Sequence, residues 1–181
     1  MKKIALFICT LILAAAVAFA VSAGDAKFTV ELTGPEVVNA GKTVDYVLTV
    51  KGIKLTNGIL GLDMNVSYDT DVFEFVSVTC TQPDGWNEKP YKAENGVVEF
   101  HAAAESAKAE YAVKKDGVLK FSISFKVKTD ATKTSEITVS GVECVGTDLE
   151  PYSGTANKLT VKIRKALAAP SPVSFDNGVA K

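Results

Sequence analysis

The stretch GVLKFSISFKVK, residues 117–128, limits what this chain can fold into more than any other feature. Leu119, Phe121, Ile123, Phe125 and Val127 alternate with Lys120, Ser122, Ser124 and Lys126. A period of two places the apolar set on one face of an extended strand and the polar set on the other, whereas a helix would scatter both around its axis. The same alternation recurs along the chain. Phe28, Val30 and Leu32 oppose Thr29 and Glu31; Val44, Tyr46, Leu48 and Val50 oppose Asp45, Val47 and Thr49. Leu60, Leu62, Met64, Val66 and Tyr68 oppose Gly61, Asp63, Asn65 and Ser67, and Leu159, Val161 and Ile163 close the series. Strands are predicted over residues 27–33, 43–51, 59–68, 73–80, 97–103, 118–128, 136–144 and 157–163.

Turn-forming pairs fall between these strands: Gly34-Pro35, Asn57-Gly58, Asp84-Gly85, Asn95-Gly96 and Asp116-Gly117. Many short half-apolar strands separated by such turns predict an all-β fold. Its form is an antiparallel β-sandwich in which two sheets bury their apolar faces against each other. One segment departs from the pattern. HAAAESAKAEYAVKK is rich in Ala, Glu and Lys, so a turn or two of helix is expected over residues 105–112.

The ends of the chain read differently from its middle. Lys2 and Lys3 precede an uncharged run from Ile4 to Ala20, and Val21-Ser22-Ala23 follows with small residues. This is the layout of a secretory signal peptide over residues 1–23, a retained anchor being the alternative, and it implies a secreted, extracellular protein. The sandwich is assigned to residues 24–164. Beyond it, ALAAPSPVSFDNGVAK has two prolines and few large apolar residues, so residues 165–181 are read as a flexible C-terminal tail, with an ordered extension on the sandwich as the alternative.

Composition then removes several functions. Twenty Lys and Arg against 21 Asp and Glu leave no basic excess to hold phosphates, so nucleic acid is not an expected partner. One His and three Cys exclude a His/Cys zinc cluster, and Asp69, Asp71 and Asp84 lack the ligand run of a calcium loop; no cofactor or metal is expected. Sequences of the GxSxG and HExxH kinds are absent, and no enzymatic activity is expected. Two cysteines, Cys80 and Cys144, follow the leader segment; secretion permits a disulfide, and sequence by itself does not bring the thiols together. Asn65-Val66-Ser67 matches a glycosylation sequon but sits mid-strand, where it is not expected to be used.

Three segments in order carry a resemblance to a known family: NGILGLDMNVSYDTDVFEFVSV, then KKDGVLKFSISFKVK, then SEITVSGVECVGTDLE before the last strand. Together they cover nearly all of residues 24–164, and the chain resembles the cohesin domain, the dockerin-binding module of cellulosome scaffolds. The resemblance implies a jelly-roll sandwich of about nine strands. It also implies a non-catalytic partner-binding role, the partner being a dockerin module on a secreted polysaccharide-degrading enzyme. The contact surface would be one flat sheet face, built from residues 58–68, the segment near Tyr91, and residues 97–104 and 137–144. Asp63 falls at the position of the family's outward, dockerin-contacting Asp. The Asn that many members carry two residues earlier is Gly61 here. Glu99 and His101 would share that face with Asp63 and Asn65, and Asp148-Leu149 resembles a flanking loop. In the same topology Cys80 and Cys144 lie towards opposite edges, which implies no disulfide between them.

Two other functions stay open on the sequence. Trp86, the only Trp, lies in a polar turn and with Tyr91 forms a candidate carbohydrate-binding pair, its alternative being a partly buried cap on the end of the sandwich. A structural or adhesive surface domain is the third reading, in which Asp63, Asn65, Glu99 and His101 are an ordinary solvated sheet face.

Overall fold

In the computed structural model, residues 26–87, 91–165, 175–176 and 179–180 are described. The proposed leader segment and most of the proposed tail lie outside them. The elements, in chain order, are β1 (Thr29–Thr33), β2 (Val37–Asn39), β3 (Thr43–Lys51), β4 (Ile59–Tyr68), β5 (Phe73–Gln82), β6 (Trp86–Asn87) and β7 (Tyr91–Glu94). They continue with β8 (Val97–Ala104), β9 (Leu119–Val127), β10 (Ser135–Gly146), β11 (Pro151–Ser153), β12 (Thr155–Ala156) and β13 (Lys158–Arg164). A short pair, β14 (Phe175–Asp176) and β15 (Val179–Ala180), stands apart from the two main sheets.

The eight longest strands coincide with the alternating segments to within two residues at each end. The count exceeds nine because five short strands, β2, β6, β7, β11 and β12, add to the edges and ends of the sheets. None is long enough to carry a readable alternation. One sheet has the order β12-β1-β3-β9-β5; the other runs β2-β13-β10-β4-β8-β6, with β11 on β10 and β7 on β8. Pairing is antiparallel except where β12 joins β1 and β2 joins β13, both at sheet edges.

Between the sheets lies a continuous apolar layer. Phe121 of β9 and Phe100 of β8 meet edge to face at 4.7 Å between ring centroids, joining the two sheets across the core. Around Phe125 stand Tyr46, Tyr68, Phe73 and Phe75, with centroids 5.0 to 6.2 Å away. Each comes from an inward position of its strand, so the period-two pattern supplies the core directly.

The expected helix is absent. Residues 105–112 form bends and turns, with Tyr111 and Ala112 donating to the carbonyls of Lys108 and Ala109. So short a segment gains too little to nucleate a helix unaided, and one of its carbonyls is held elsewhere. The Trp86 indole takes the Tyr111 carbonyl, and Val113 and Ile59 exchange backbone hydrogen bonds at 3.0 Å.

The hairpin of β7 and β8 explains how one sheet edge is closed. Asn95 and Gly96 have φ of 51° and 77°, both in the left-handed region, and form the two-residue loop between the paired Glu94 and Val97. Asn-Gly suits that loop because its first residue tolerates positive φ and its second has no Cβ.

Candidate protein-binding face

The outer face of the larger sheet is ordered by register. Across β10, β4 and β8, Glu143 pairs with Asp63 and Asp63 with His101. One row along, Ser140 pairs with Asn65, Asn65 with Glu99, and Glu99 with Lys92 of β7. Inward neighbours Leu62, Met64, Val66, Phe100 and Ala102 are buried in the core. Strand alternation therefore turns the polar set outward together. Asp63, Asn65, Glu99 and His101, expected to share a face, do so.

The Asp63 side chain is less open than a plain solvated carboxylate. It is 18% exposed, and its Oδ1 lies 2.5 Å from Nδ1 of His101, itself 34% exposed. That hydrogen bond raises the His101 pKa above the usual imidazole value. Partial burial opposes the rise, and the charges of Asp63 and Glu99 add to it. Removing Asp63 therefore strips His101 of its partner as well as opening the face.

Glu143 and Ser140 are on this face but carry no motif. The reason is a bulge: between Ser140 and Glu143 the register with β4 shifts, and Gly141 takes φ of 58°. Its trace in the sequence is a phase change, since Ile137 and Val139 are inward before Gly141 while Val142 and Cys144 are inward after it. Carried through without the bulge, the alternation would turn Glu143 into the core.

Asp148 and Leu149 sit in the turn between β10 and β11, at the end of this sheet beyond Gly61. Tyr152 Oη donates to Asp148 Oδ2 at 2.6 Å, and the Glu150 N–H donates to Oδ1 at 3.2 Å. These bonds, the tyrosine's foremost, lower the Asp148 pKa. Leu149, 60% exposed, is held with φ of 65° at the turn apex. At Gly61 a Cβ would stand 3.7 Å from Val145 Cβ, an ordinary contact, so the absence of a side chain there is not forced by packing.

Trp86 does not stand open in a loop. Trp86 is 6% exposed, lies in the core, and donates its Nε1–H to the Tyr111 carbonyl at 3.0 Å. A ring so enclosed has no face to offer a sugar. Trp86 pairs with Ala104 of β8 and Tyr91 with Phe100, so the two occupy separate stretches of that strand. Asp69 and Asp71 both bind Lys133, at 2.8 and 3.1 Å, and among the described residues no group of three or more His, Cys, Asp or Glu could hold a metal. Cys80 lies on β5 of one sheet and Cys144 on β10 of the other, and no disulfide joins them.

The fold is thus a two-sheet antiparallel sandwich whose larger sheet carries a polar row on its outer face. The family model of the cohesin domain matches residues 28–163, and the chain belongs to that family. No curated protein matches the chain in sequence. Solved cohesin structures share the jelly-roll sandwich. The cohesin module of a family 33 glycoside hydrolase from Clostridium perfringens is 15% identical, with a TM-score of 0.68, covering 78% of this chain and 99% of its own. The structure of a type I cohesin–dockerin complex from Clostridium thermocellum matches at 23% identity and a TM-score of 0.67, covering 82% and 99%. A non-cellulosomal cohesin from the archaeon Archaeoglobus fulgidus is 19% identical, with a TM-score of 0.59, covering 77% and 93%.

Proposed function

We propose that this protein is a secreted, non-catalytic adaptor that captures a dockerin module borne by a polysaccharide-degrading enzyme. The observation that carries the reading is the row Glu143–Asp63–His101, with Asn65 and Glu99 beside it, on the outer face of the larger sheet. A flat face cannot enclose a small molecule but can match the surface of another folded module. Carboxylates on it accept charge-assisted hydrogen bonds from Lys, Arg, Ser or Thr of a partner, and these strengthen where the complex excludes water. Membership of the cohesin family, some of whose solved members are complexes with dockerins, supports the same partner class.

Calorimetric titration against a panel of recombinant dockerin modules tests the proposal. Asp63→Asn keeps the size of the side chain and a hydrogen bond to His101 while removing the charge, and should weaken binding by about 1–3 kcal/mol. Glu74→Gln, on an exposed position of β5 in the other sheet, should leave affinity unchanged. Full binding by Asp63→Asn together with loss in Glu74→Gln would move the interface to the other sheet. Absence of binding to any dockerin would remove the partner class.

A further inference from the structure

The outer face of the larger sheet carries one histidine, at the β8 end of the row Glu143–Asp63–His101. His101 is the only histidine of the chain, and its Nδ1 lies 2.5 Å from the Asp63 carboxylate. Among the described residues, the charged groups around it are few. Asp63 faces it from β4, with Glu143 next in the same row on β10. Glu99 lies two residues back on its own strand and adds to its proton affinity through its charge. Lys92 on β7 pairs with Glu99 in register, but its ammonium is held by Glu94 at 2.9 Å.

We propose that His101 sets the charge of this face, so that a partner presenting Lys or Arg to Asp63 binds more tightly as the pH rises and His101 loses its proton. The proposal rests on the dockerin reading above and specifies the chemistry of the partner surface. The protonated ring donates Nδ1–H to Asp63 and brings a positive charge beside it. The neutral ring keeps the same hydrogen bond in its Nδ1–H tautomer and brings none. Geometry is unchanged; only charge differs. With His101 neutral, Asp63, Glu143 and Glu99 form an acidic group, and Lys92, in register with Glu99, is engaged by Glu94. With His101 protonated, a cationic partner meets a repelling charge on the spot it must approach. Both side chains are partly covered, so water and salt screen them less than they would a fully exposed pair. Even at the dielectric of water, one unit charge several ångströms away changes affinity roughly three- to tenfold.

The test uses the whole protein and the dockerin that binds it, titrated calorimetrically at pH 5.5, 6.5, 7.5 and 8.5 in low salt. Wild-type affinity should rise roughly three- to tenfold across this range, and the rise should shrink in high salt. His101→Gln, which retains an N–H donor without a charge, should bind with a flat pH profile. A slope that survives in His101→Gln, or a wild-type profile that is flat or falls, overturns the proposal while leaving the dockerin reading intact. If no dockerin binds at any pH, the dockerin reading fails and this inference with it. A second measurement needs no variant. By linkage, a partner that binds the deprotonated form better must lower the His101 pKa on binding, and the Hε1 resonance of His101 in the proton NMR spectrum reports it. An unchanged or raised titration midpoint in the complex would also overturn the proposal.

Discussion

Gly141 lies directly beneath the Asn65 side chain: a Cβ added at Gly141 would stand 3.1 Å from Asn65 Nδ2. The bulge that keeps Glu143 on the outer face and the amide of Asn65 are thus in contact. Gly141→Ala should destabilise the fold by about 1–2 kcal/mol, because φ of 58° disfavours an L side chain, and it should also displace Asn65. Urea denaturation of Gly141→Ala beside Ser140→Ala checks this. Ser140 is exposed and its truncation should cost little, so equal losses would mean that the bulge is not held by its glycine.

Phe121 should be among the costliest core positions. It is fully buried and links the two sheets through Phe100, so Phe121→Ala should cost about 3–5 kcal/mol. Lys120, its outward neighbour, should lose little on truncation. Similar midpoints for the two variants in urea would contradict the assigned strand phase.

The pairing of His101 with Asp63 has a consequence for stability. The folded state raises the His101 pKa, so the folded state holds the proton more tightly than the unfolded chain does. The stabilisation is fully present below the unfolded imidazole pKa, about 6.5, and is lost as pH rises through the folded value. The stability difference between wild type and His101→Gln should accordingly be larger at pH 5.5 than at pH 8.5. A difference independent of pH, measured by denaturant titration, would show that the ion pair contributes nothing.

The two thiols should react unequally. Cys144 is 2% exposed, and burial, reinforced by the charges of Asp148 and Glu143, pushes its pKa up to about 12. Cys80 is half-buried on β5. Iodoacetamide applied to the native protein at pH 8 should label Cys80 and spare Cys144 until denaturant is added, because the thiolate is the reactive form. Peptide mass spectrometry resolves the sites, and fast native labelling of Cys144 would refute its burial.

Trp86 should behave as a core residue. Its intrinsic fluorescence, the only tryptophan signal in the chain, should be blue-shifted in the native state and unmoved by added oligosaccharides. Trp86→Ala should cost about 3–5 kcal/mol of stability. A fluorescence change on titrating glycan, with the fold intact, would reopen the carbohydrate reading.

Sequence by itself determined the strands and their inward faces. Alternation is a local property, so Phe121 and Phe125 on β9, and Tyr46 and Leu48 on β3, were legible as core from a dozen neighbouring residues each. The same alternation set Asp63, Asn65, Glu99 and His101 outward. Only the tertiary structure decided what those outward residues touch. Cross-strand partners come from register between distant segments, and the bulge at Gly141 reset that register, so Glu143 joined Asp63 without any motif to announce it. Between the two readings of Trp86, an open sugar-stacking ring and a buried cap, the tertiary structure decided for burial. The neighbours of Trp86 in sequence are polar, but its neighbours in space are the core and the Tyr111 carbonyl, supplied by a segment whose composition favoured a helix. Local propensity is a matter of tenths of a kilocalorie per residue, and burying an indole with its N–H satisfied outweighs it.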